Sequence, residues 1–480
     1  MPRLYIEPII KSTMNFESLK HIYFLGIGGI GMSALARFFA SKDVKISGYD
    51  RTRTPLCREL EKRQGAKIYY VENIKQIPKS IDLVVYTPAI PQNHAILEHF
   101  RKSKIPVLKR SEVLGLITKS MDGICIAGTH GKTTISSLLA HLFMESSVEC
   151  NAFLGGIAKN YNSNLILSET SNIAVIEADE FDRSFLKLHP QVAVISSIDA
   201  DHLDVYGDKK ALKKSFSEFA NLVPENGILF RKYGLPKYNK KCQAFTYHLK
   251  NNKADYHLSR LELKKDVYHF DVKTPEGTVR NMKMNYPGLH NVENAIVAIA
   301  VALKRGVKES EVRKGLRTFE GVERRFDVHI KTDTLVYIDD YAHHPQEIEA
   351  CIKSAKELFP NRKITGIFQP HLYSRTRDFA DDFAKSLSLL DTVILMDIYA
   401  AREKKIEGVT SEMLLSKINK REKKMLNKGT LRNLIRKTEQ IEVLLTMGAG
   451  DIAQIAVRVI EYWNASNKQN LSSIRNGKRK

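Results

Sequence analysis

One short segment constrains the fold of this chain more than any other feature: GTHGKTT, at positions 128–134. It follows the apolar run ICIA, which is typical of a buried strand, and it precedes apolar residues at helical spacing between positions 135 and 143. A glycine turn between a strand and a helix lets successive backbone N–H groups converge on phosphate oxygens at the helix N-terminus. The segment therefore predicts a phosphate-binding loop at the end of a parallel strand.

Two side chains of this loop suit the chemistry of a bound nucleotide. Lys132 can reach the β- and γ-phosphates, and the Thr133 hydroxyl suits Mg²⁺. The longer Walker pattern has a further glycine where this chain has Ile126, so the loop is a shortened variant. A chance glycine turn is the structural alternative, but the strand–loop–helix context favours phosphate binding. The expected nucleotide-binding residues are Gly128, Thr129, His130, Gly131, Lys132, Thr133 and Thr134.

Strand-like aliphatic runs alternate with helical patterns from end to end, which favours an α/β fold with mainly parallel sheets. At 480 residues the chain is too long for one ordinary core. We predict three domains: a Rossmann-like domain over 1–120, a central P-loop ATPase-like domain over 121–324, and a Rossmann-like C-terminal domain over 325–480. Residues 225–285 are polar and alternate only weakly, which predicts an antiparallel edge or an excursion from the central sheet.

A second glycine loop lies near the N-terminus. Gly26, Gly28 and Gly31 match the pattern G-x-G-x-x-G between the strand-like run HIYFL and a helical stretch, and Asp50 follows at the end of the next strand-like run. This is the dinucleotide fingerprint. A redox cofactor is one interpretation, but the pattern itself requires only a diphosphate on a helix N-terminus, and a nucleotide-sugar diphosphate fits equally well.

Two acidic clusters end strand-like runs downstream of the phosphate loop. EADEFD occupies 177–182 and DADHLD occupies 199–204, both at the strand ends where α/β sheets bind ligands. Carboxylates there can hold Mg²⁺ against nucleotide phosphates, and His202 is a credible second-metal ligand. Helix capping by aspartate is the structural alternative. Because the clusters follow a phosphate loop, we favour the metal interpretation.

The third series carries two polar motifs, DDYAHHP at 339–345 and FQPHLYSRT at 368–376. The paired histidines could indicate zinc, but His343 and His344 are adjacent and do not form the i, i+4 pair that chelates from one helix face. Polar groups that recognise a small zwitterion, or that stabilise a charged transition state, explain these motifs better.

Composition restricts the cellular setting. No window reaches 18 consecutive apolar residues, the first twenty residues lack the features of a secretory signal, and the five cysteines are scattered. We therefore expect a cytoplasmic protein without membrane insertion. With a formal charge of +21, the chain could bind nucleic acid, anionic lipid or small phosphorylated substrates. Because the basic stretches within 401–436 and the tail lack interleaved aromatics, a solvated surface is favoured over nucleic-acid binding.

Taken in order, these segments resemble the Mur ligase family. The matching stretches are GIGGIGMS, GTHGKTT, EADEFD, DADHLD, PGLHNVENA, GVERRF, DDYAHHP, FQPHLYSRT and TMGAGD, which span residues 21 to 452. The resemblance implies three α/β domains that bind a uridine nucleotide, ATP and an amino acid in turn. It also implies ATP-dependent ligation of L-alanine to the carboxylate of UDP-N-acetylmuramate through an acyl phosphate, in peptidoglycan-precursor synthesis, with Mg²⁺ as cofactor.

The resemblance also implies roles for individual residues. Loop 128–134 would bind the ATP phosphates, with Lys132 catalytic, and the first glycine loop would bind the UDP diphosphate. The other implied assignments are Thr133, Glu177 and His202 for Mg²⁺; His290, Asn291 and Asn294 for adenine; Arg325 or Arg324 for the γ-phosphate; and His343, His371 and Arg375 for alanine.

Some of the chain departs from the family or has no counterpart in it. Many relatives have arginine directly after the histidine of FQPH, where this chain has Leu372, and the family's AGE segment reads Ala401-Arg402-Glu403 here. Arg375 is then the remaining candidate for the alanine carboxylate. Residues 1–14 and the basic region 419–436 are not explained by the resemblance.

Three other functions stay open on the sequence alone. A related ligase joins recycled tripeptide to the same sugar nucleotide, although the complete GIGGIGMS motif favours the alanine enzyme. A nicotinamide dehydrogenase would leave loop 128–134 without a role, and a nucleic-acid-binding module would rest on charge alone. The expected partners are small molecules, and the sequence leaves a monomer and a homodimer equally open.

Overall fold

The computed structural model describes residues 16–199, 206–238, 241–401, 403–426 and 441–477. These residues form three separate β-sheets of five, ten and six strands, each flanked by helices. The predicted class, an α/β fold with mainly parallel sheets, is confirmed.

The first sheet is formed by β1 His21–Leu25, β2 Lys45–Tyr49, β3 Lys67–Tyr69, β4 Leu83–Tyr86 and β5 Val107–Lys109. All four pairings are parallel, in the order β3-β2-β1-β4-β5. Its helices are α1 Ile30–Ala40, α2 Pro55–Gln64, α3 Ala95–Lys102 and α4 Arg110–Lys119. The local sequence sets both ends of helix α2. The Thr54 hydroxyl accepts the Cys57 N–H at the N-terminus, and Gly65 ends the helix with φ 62°.

The central sheet begins with β6 Asp122–Ala127, β7 Asn151–Ala158, β8 Ser163–Ile166, β9 Ile173–Glu177 and β10 Pro190–Ile195. β6 lies between β10 and β9, parallel to both, so the loop that follows it opens at the middle of the sheet. β7 pairs parallel with β9, and β8 runs antiparallel to β7 at the edge. The helices of this region are α5 Lys132–Met144, α6 Lys209–Ala220, α7 Leu289–Lys304 and α8 Glu309–Thr318.

Residues 225–285 differ in part from the expected antiparallel edge. They form β11 Ile228–Lys232, β12 Gln243–His248, β13 Tyr256–Lys264, β14 Val267–Thr274 and β15 Gly277–Met284, which extend the central sheet beyond β10. The pairings from β10 through β11 and β12 to β13 are parallel. The expectation of an antiparallel edge was therefore wrong for β11 and β12. It holds for β13, β14 and β15 at the end of the sheet, because two-residue turns join them and only antiparallel neighbours can be joined by such short turns.

The third sheet is formed by β16 Asp327–Lys331, β17 Val336–Asp340, β18 Ile364–Phe368, β19 Thr392–Leu395, β20 Lys423–Met425 and β21 Val443–Met447. The order is β16-β17-β21-β18-β19-β20, and only β16 is antiparallel to its neighbour. Its helices are α9 Pro345–Leu358, α10 Tyr373–Asp378, α11 Ala380–Leu387, α12 Ser411–Lys417 and α13 Ala453–Gly477.

The chain forms two compact units. The first unit comprises Met1–Leu261, Phe270–Lys283 and Asn294–Glu320, and the second comprises Glu262–His269, Met284–Glu293 and Gly321–Lys480. Inside the first unit, one apolar core joins the first sheet to the central sheet; for example, the rings of Phe38 and Phe153 lie 5.5 Å apart. The domain boundaries near 120 and 324 stay predictions. Over the described residues, no helix combines the length and apolarity needed to cross a membrane.

Candidate functional site

The predicted phosphate loop joins β6 to α5, and two of its glycines have backbone angles that favour glycine. Gly128 has φ 134°, and Gly131, the N-cap residue of α5, has φ 83°. A Cβ on Gly128 would lie 2.8 Å from the Ser197 nitrogen, and one on Gly131 would lie 2.7 Å from Asn294 Oδ1. Both positions therefore require glycine for conformation and for space.

Two serines just beyond β10 hold this loop. The Ser197 hydroxyl accepts the His130 N–H at 2.9 Å and lies 2.8 Å from Thr129 Oγ1, while the Ser196 hydroxyl donates to the His130 carbonyl. Thr129 Oγ1 also accepts the Asp199 N–H at 3.0 Å. The neighbouring strand thus fixes the loop, which the motif alone did not indicate.

Lys132 points back over its own loop toward a buried carboxylate. Its Nζ donates to the Gly128 carbonyl at 2.7 Å and lies 2.9 Å and 2.8 Å from the two carboxylate oxygens of Glu180, whose side chain is fully buried. Burial alone lowers the pKa of the ammonium, but the negative charges of Glu180, Asp179 and Glu177 outweigh burial and raise the pKa. Lys132 is therefore fully charged at neutral pH.

Oxygen atoms suited to Mg²⁺ meet beside this lysine. The Thr133 hydroxyl donates to Glu177 Oε1 at 3.0 Å, and Glu177 Oε2 accepts the Gly155 N–H at 3.0 Å. Hydroxyl and carboxylate oxygens are the ligands that Mg²⁺ prefers, and Thr134 is buried in the same helical turn. The third predicted ligand, His202, lies outside the described residues. Among those described, no three His, Cys, Asp or Glu side chains cluster so that they could hold a metal ion.

The three residues expected around adenine belong to helix α7. Asn294, in the first unit, lies against Gly131 of the phosphate loop. In the second unit, the buried Asn291 amide donates to the Pro287 carbonyl at 2.5 Å. Burial lowers the pKa of His290 to about 4, so its imidazole is neutral at pH 7.

The N-terminal glycine loop joins β1 to α1 in the first unit. Gly26 has φ 84°, and the Gly28 N–H donates to Asp50 Oδ2 at 2.8 Å, so the predicted acidic residue braces the loop in this structure. A Cβ on Gly31 would lie 2.5 Å from Nη1 of Arg110. The Arg110 guanidinium therefore lies beside this loop at the start of α1.

In the second unit, the structure brings His343, His371 and Arg375 together. The rings of His343 and His371 have centroids 6.0 Å apart, and Arg375 Nη1 lies 3.3 Å from His371 Nδ1. The ring of Tyr399 stacks on His371 at 5.7 Å, and Tyr341 meets His343 edge-on at 5.3 Å. These groups form a small basic and aromatic cluster at the ends of β17 and β18.

The two candidate arginines for the γ-phosphate lie against the same tyrosine ring. Arg324 donates to Asp339 Oδ2 at 2.9 Å and to the Gly448 carbonyl at 2.6 Å. The guanidinium groups of Arg324 and Arg325 lie 5.2 Å and 5.1 Å from the ring centroid of Tyr341. Which of the two arginines would face the γ-phosphate stays a prediction.

The sequence missed several residues at these sites. Glu180, Ser197, Arg110 and Tyr399 all touch predicted residues. Glu180 stood inside a motif already recognised, EADEFD, but only the fold shows which of its carboxylates faces the lysine. For Arg110 and Tyr399 the contacts join segments distant in sequence, and no local pattern signals them.

Comparison with known proteins gives a consistent result across the chain. Three family models match it: "Mur ligase family, catalytic domain" over residues 21–121, "Mur ligase middle domain" over 126–302, and "Mur ligase, glutamate ligase domain" over 324–450. A UDP-N-acetylmuramate–L-alanine ligase of Christiangramia forsetii is 48% identical over 451 residues, which are 93% of this chain and 98% of the relative.

Solved structures share the fold over similar lengths. A UDP-N-acetylmuramate–alanine ligase from Thermotoga maritima matches with a TM-score of 0.78 and 28% identity, covering 93% of this chain and 99% of that one. A murein peptide ligase from Psychrobacter arcticus matches with a TM-score of 0.68 and 22% identity, covering 92% and 98%. At that lower identity the likeness concerns the fold alone.

Proposed function

The chain belongs to the Mur ligase family, and from that premise we propose that it joins L-alanine to the carboxylate of UDP-N-acetylmuramate in an ATP-dependent reaction. The observation that carries the proposal is the loop 128–134, where a charged lysine and a Glu177–Thr133 pair meet at the start of α5. The relative from Christiangramia forsetii, similar over nearly its whole length, is named for this reaction. The reaction supplies a peptidoglycan precursor, and we place it in the cytoplasm.

The chemistry requires activation because a carboxylate does not acylate an amine at neutral pH. A muramoyl carboxylate oxygen attacks the γ-phosphorus of ATP, the bond to the ADP oxygen breaks, and an acyl phosphate forms. The alanine amine then attacks the acyl carbon and loses a proton, and inorganic phosphate leaves from the tetrahedral intermediate. The protein contributes positioning and neutralisation of negative charge rather than covalent chemistry.

Lys132 is the central group for the first step. In this structure Glu180 supplies its counter-charge, and bound ATP would supply another through the β- and γ-phosphates. The ammonium would turn from one anion to the other without losing its charge, because nearby carboxylates raise its pKa. Mg²⁺ would be held by Thr133 and Glu177, with His202 as the ligand expected from the sequence, and would help neutralise the phosphates.

The second step needs a site for alanine, which we assign to the cluster in the second unit. Arg375 would bind the alanine carboxylate, and His343 and His371 would border the amine. Leu372 occupies the position where the family resemblance leads us to expect arginine, and its φ of 70° is strained for a leucine. A strained residue persists only where the surrounding fold holds it in place, and we assign this turn to the alanine site.

The decisive experiment measures phosphate release from ATP with UDP-N-acetylmuramate and each amino acid in turn. We expect L-alanine to support the fastest turnover, with glycine and serine slower by roughly 10–200-fold in kcat/KM, because a pocket discriminates only weakly against one missing methyl group or one added hydroxyl. Faster turnover with the tripeptide than with L-alanine would assign the chain to the recycling reaction instead. No phosphate release with any acceptor would remove the proposal.

A variant that tests Lys132 must also remove the charge of its buried partner, Glu180. Replacing the lysine alone would leave the Glu180 carboxylate buried without its counter-charge, which destabilises the fold. The double substitution Lys132→Met with Glu180→Gln removes both charges together. We expect this variant to fold like the wild type and to release no phosphate, whereas near-normal ADP formation would contradict the role of Lys132. The oligomeric state, monomer or homodimer, stays a prediction.

A further inference from the structure

Arg110 lies between the N-terminal glycine loop and the acidic segment that follows β9, and the sequence motifs assign it no role. It is the first residue of α4, which begins directly after β5. Glu112 fixes this helix start, because its carboxylate accepts the Lys109 N–H at 2.8 Å. The backbone of Arg110 is therefore anchored, and only its side chain is adjustable.

One side of the Arg110 guanidinium faces the N-terminal glycine loop. The space where a Gly31 side chain would lie is occupied by Nη1, with the guanidinium carbon 3.1 Å from the ideal Cβ position. Any side chain at position 31 would displace the arginine. A guanidinium offers planar, forked donors that match phosphate oxygens, and it lies here at the helix start where a diphosphate is expected.

The other side of the guanidinium faces the acidic segment that follows β9. Arg110 Nη2 lies 3.8 Å from Asp179 Oδ2. The Asp179 side chain is 41% exposed and that of Arg110 is 22% exposed, so the contact is open to solvent and contributes little to stability. Asp179 directly precedes Glu180, the partner of Lys132. The arginine thus connects the nucleotide-sugar loop with the segment that holds the ATP-loop lysine.

The elements around Arg110 are closely packed. A Cβ on Gly115, one turn further along α4, would collide with the Lys187 carbonyl of the 3₁₀ segment Phe181–Lys187. Helix α1 is fixed to the central sheet as well, because the Asn164 amide donates to the Ile30 carbonyl and Arg37 Nη1 donates to Ser163 Oγ at 3.2 Å. We therefore expect ligand entry to move the arginine side chain rather than these elements.

We propose that Arg110 is a positioning residue that exchanges Asp179 for a diphosphate oxygen of the bound nucleotide sugar. The exchange replaces an exposed carboxylate contact with a forked contact to a more highly charged group. It holds the diphosphate on the glycine loop, so that the sugar acid extends toward the phosphate loop of the central sheet. This inference rests on the proposed function, since it takes UDP-N-acetylmuramate as the ligand.

The test compares calorimetric binding of UDP-N-acetylmuramate, UDP and uridine by the wild type and by Arg110→Met. We expect Arg110→Met to weaken binding of both diphosphates by roughly 10–100-fold, the effect of one charge-assisted hydrogen-bonded contact, and to leave uridine and ADP binding unchanged. Arg110→Lys should restore part of the loss. Equal weakening of uridine or ADP would show a general structural defect and overturn the proposal, as would unchanged UDP binding.

Lys109→Met is the matched control, because Lys109 is the adjacent residue and its Nζ lies 3.9 Å from Asp182 in a similar exposed pair. It should bind every ligand like the wild type. In steady-state assays Arg110→Met should raise the KM for UDP-N-acetylmuramate with kcat changed less than about twofold at saturation. A wild type that makes no alanine product contradicts the proposed function, whereas an active wild type with an unchanged KM in Arg110→Met contradicts only this inference.

Discussion

At the level of single residues, the buried pair of Lys132 and Glu180 determines how the nucleotide site behaves without nucleotide. Glu180→Gln keeps the shape of the side chain but removes the counter-charge of a largely buried ammonium. We expect the free energy of unfolding to fall by about 2–4 kcal/mol. ADP should restore much of this loss, because its phosphates bind the same ammonium. Thermal unfolding with and without ADP measures both effects.

The matched control for this substitution is Glu276→Gln. Glu276 pairs with Lys304 in the same unit, but its side chain is 61% exposed. An exposed pair contributes at most about 1 kcal/mol, so this variant should unfold close to the wild type. Equal losses in the two variants would mean that burial of Glu180 does not matter.

A second residue-level prediction concerns His141, a buried side chain in α5. Its ring nitrogens lie 2.8 Å from the Tyr161 hydroxyl and 2.9 Å from the Thr318 hydroxyl, and burial lowers its pKa from 6.5 to about 4. The unfolded chain therefore binds a proton at this histidine at a higher pH than the folded chain does. The stabilising contribution is complete above pH 6.5 and is lost as the pH falls toward 4, by about 3 kcal/mol.

His141→Gln tests this because glutamine keeps a hydrogen-bonding group and cannot take up the proton. We expect the wild type to lose more stability than the variant between pH 7 and pH 4, measured by urea unfolding. His290, whose pKa is also lowered to about 4, remains in both proteins, so the difference isolates His141. Parallel pH profiles would show that His141 does not titrate with folding.

At the level of elements, the turn between β6 and α5 depends on glycine in two separable ways. Gly131→Ala forces an alanine into φ 83° and places its Cβ 2.7 Å from Asn294 Oδ1. Gly65→Ala, at the end of α2, meets φ 62° but nothing within 4 Å. We expect the Gly65 variant to lose about 1 kcal/mol from conformation alone. The Gly131 variant should lose more stability and at least tenfold in ADP affinity, by calorimetry. Similar stability losses and normal ADP binding in both variants would contradict this.

The elements also show what the sequence could predict. Loop 128–134 and the N-terminal glycine loop were located correctly because strand, turn and helix are adjacent in the chain and each leaves a local pattern. The antiparallel edge was wrong for β11 and β12, which pair in parallel, because pairing depends on neighbours that local alternation does not specify. The contacts of Lys132 with Glu180 and of Arg110 with Gly31 span 48 and 79 positions, respectively, so they required the fold.

At the level of the whole molecule, the net charge of +21 has a simple interpretation once the proposed substrates are considered. ATP and UDP-N-acetylmuramate are both anionic, so a positive surface would accelerate their approach without any base-specific contact. The alternative, nucleic-acid binding, predicts association that weakens steeply with salt for DNA or RNA of any sequence. The two explanations differ in which ligand, the nucleotide sugar or the nucleic acid, binds in a salt-dependent manner.

Association kinetics decide between them. We expect the association rate constant for UDP-N-acetylmuramate, measured by stopped flow, to fall by roughly threefold or more between about 0.02 M and 0.2 M salt, because the screening length shortens across this range. Sucrose at matched osmolarity controls for non-ionic effects, and uridine, which is neutral, should bind at a salt-independent rate. If DNA competes with the nucleotide sugar at the higher salt concentration, the positive surface is a nucleic-acid-binding surface. If no association rate constant changes with salt, the positive charge attracts neither ligand, and the basic residues form only a solvated surface.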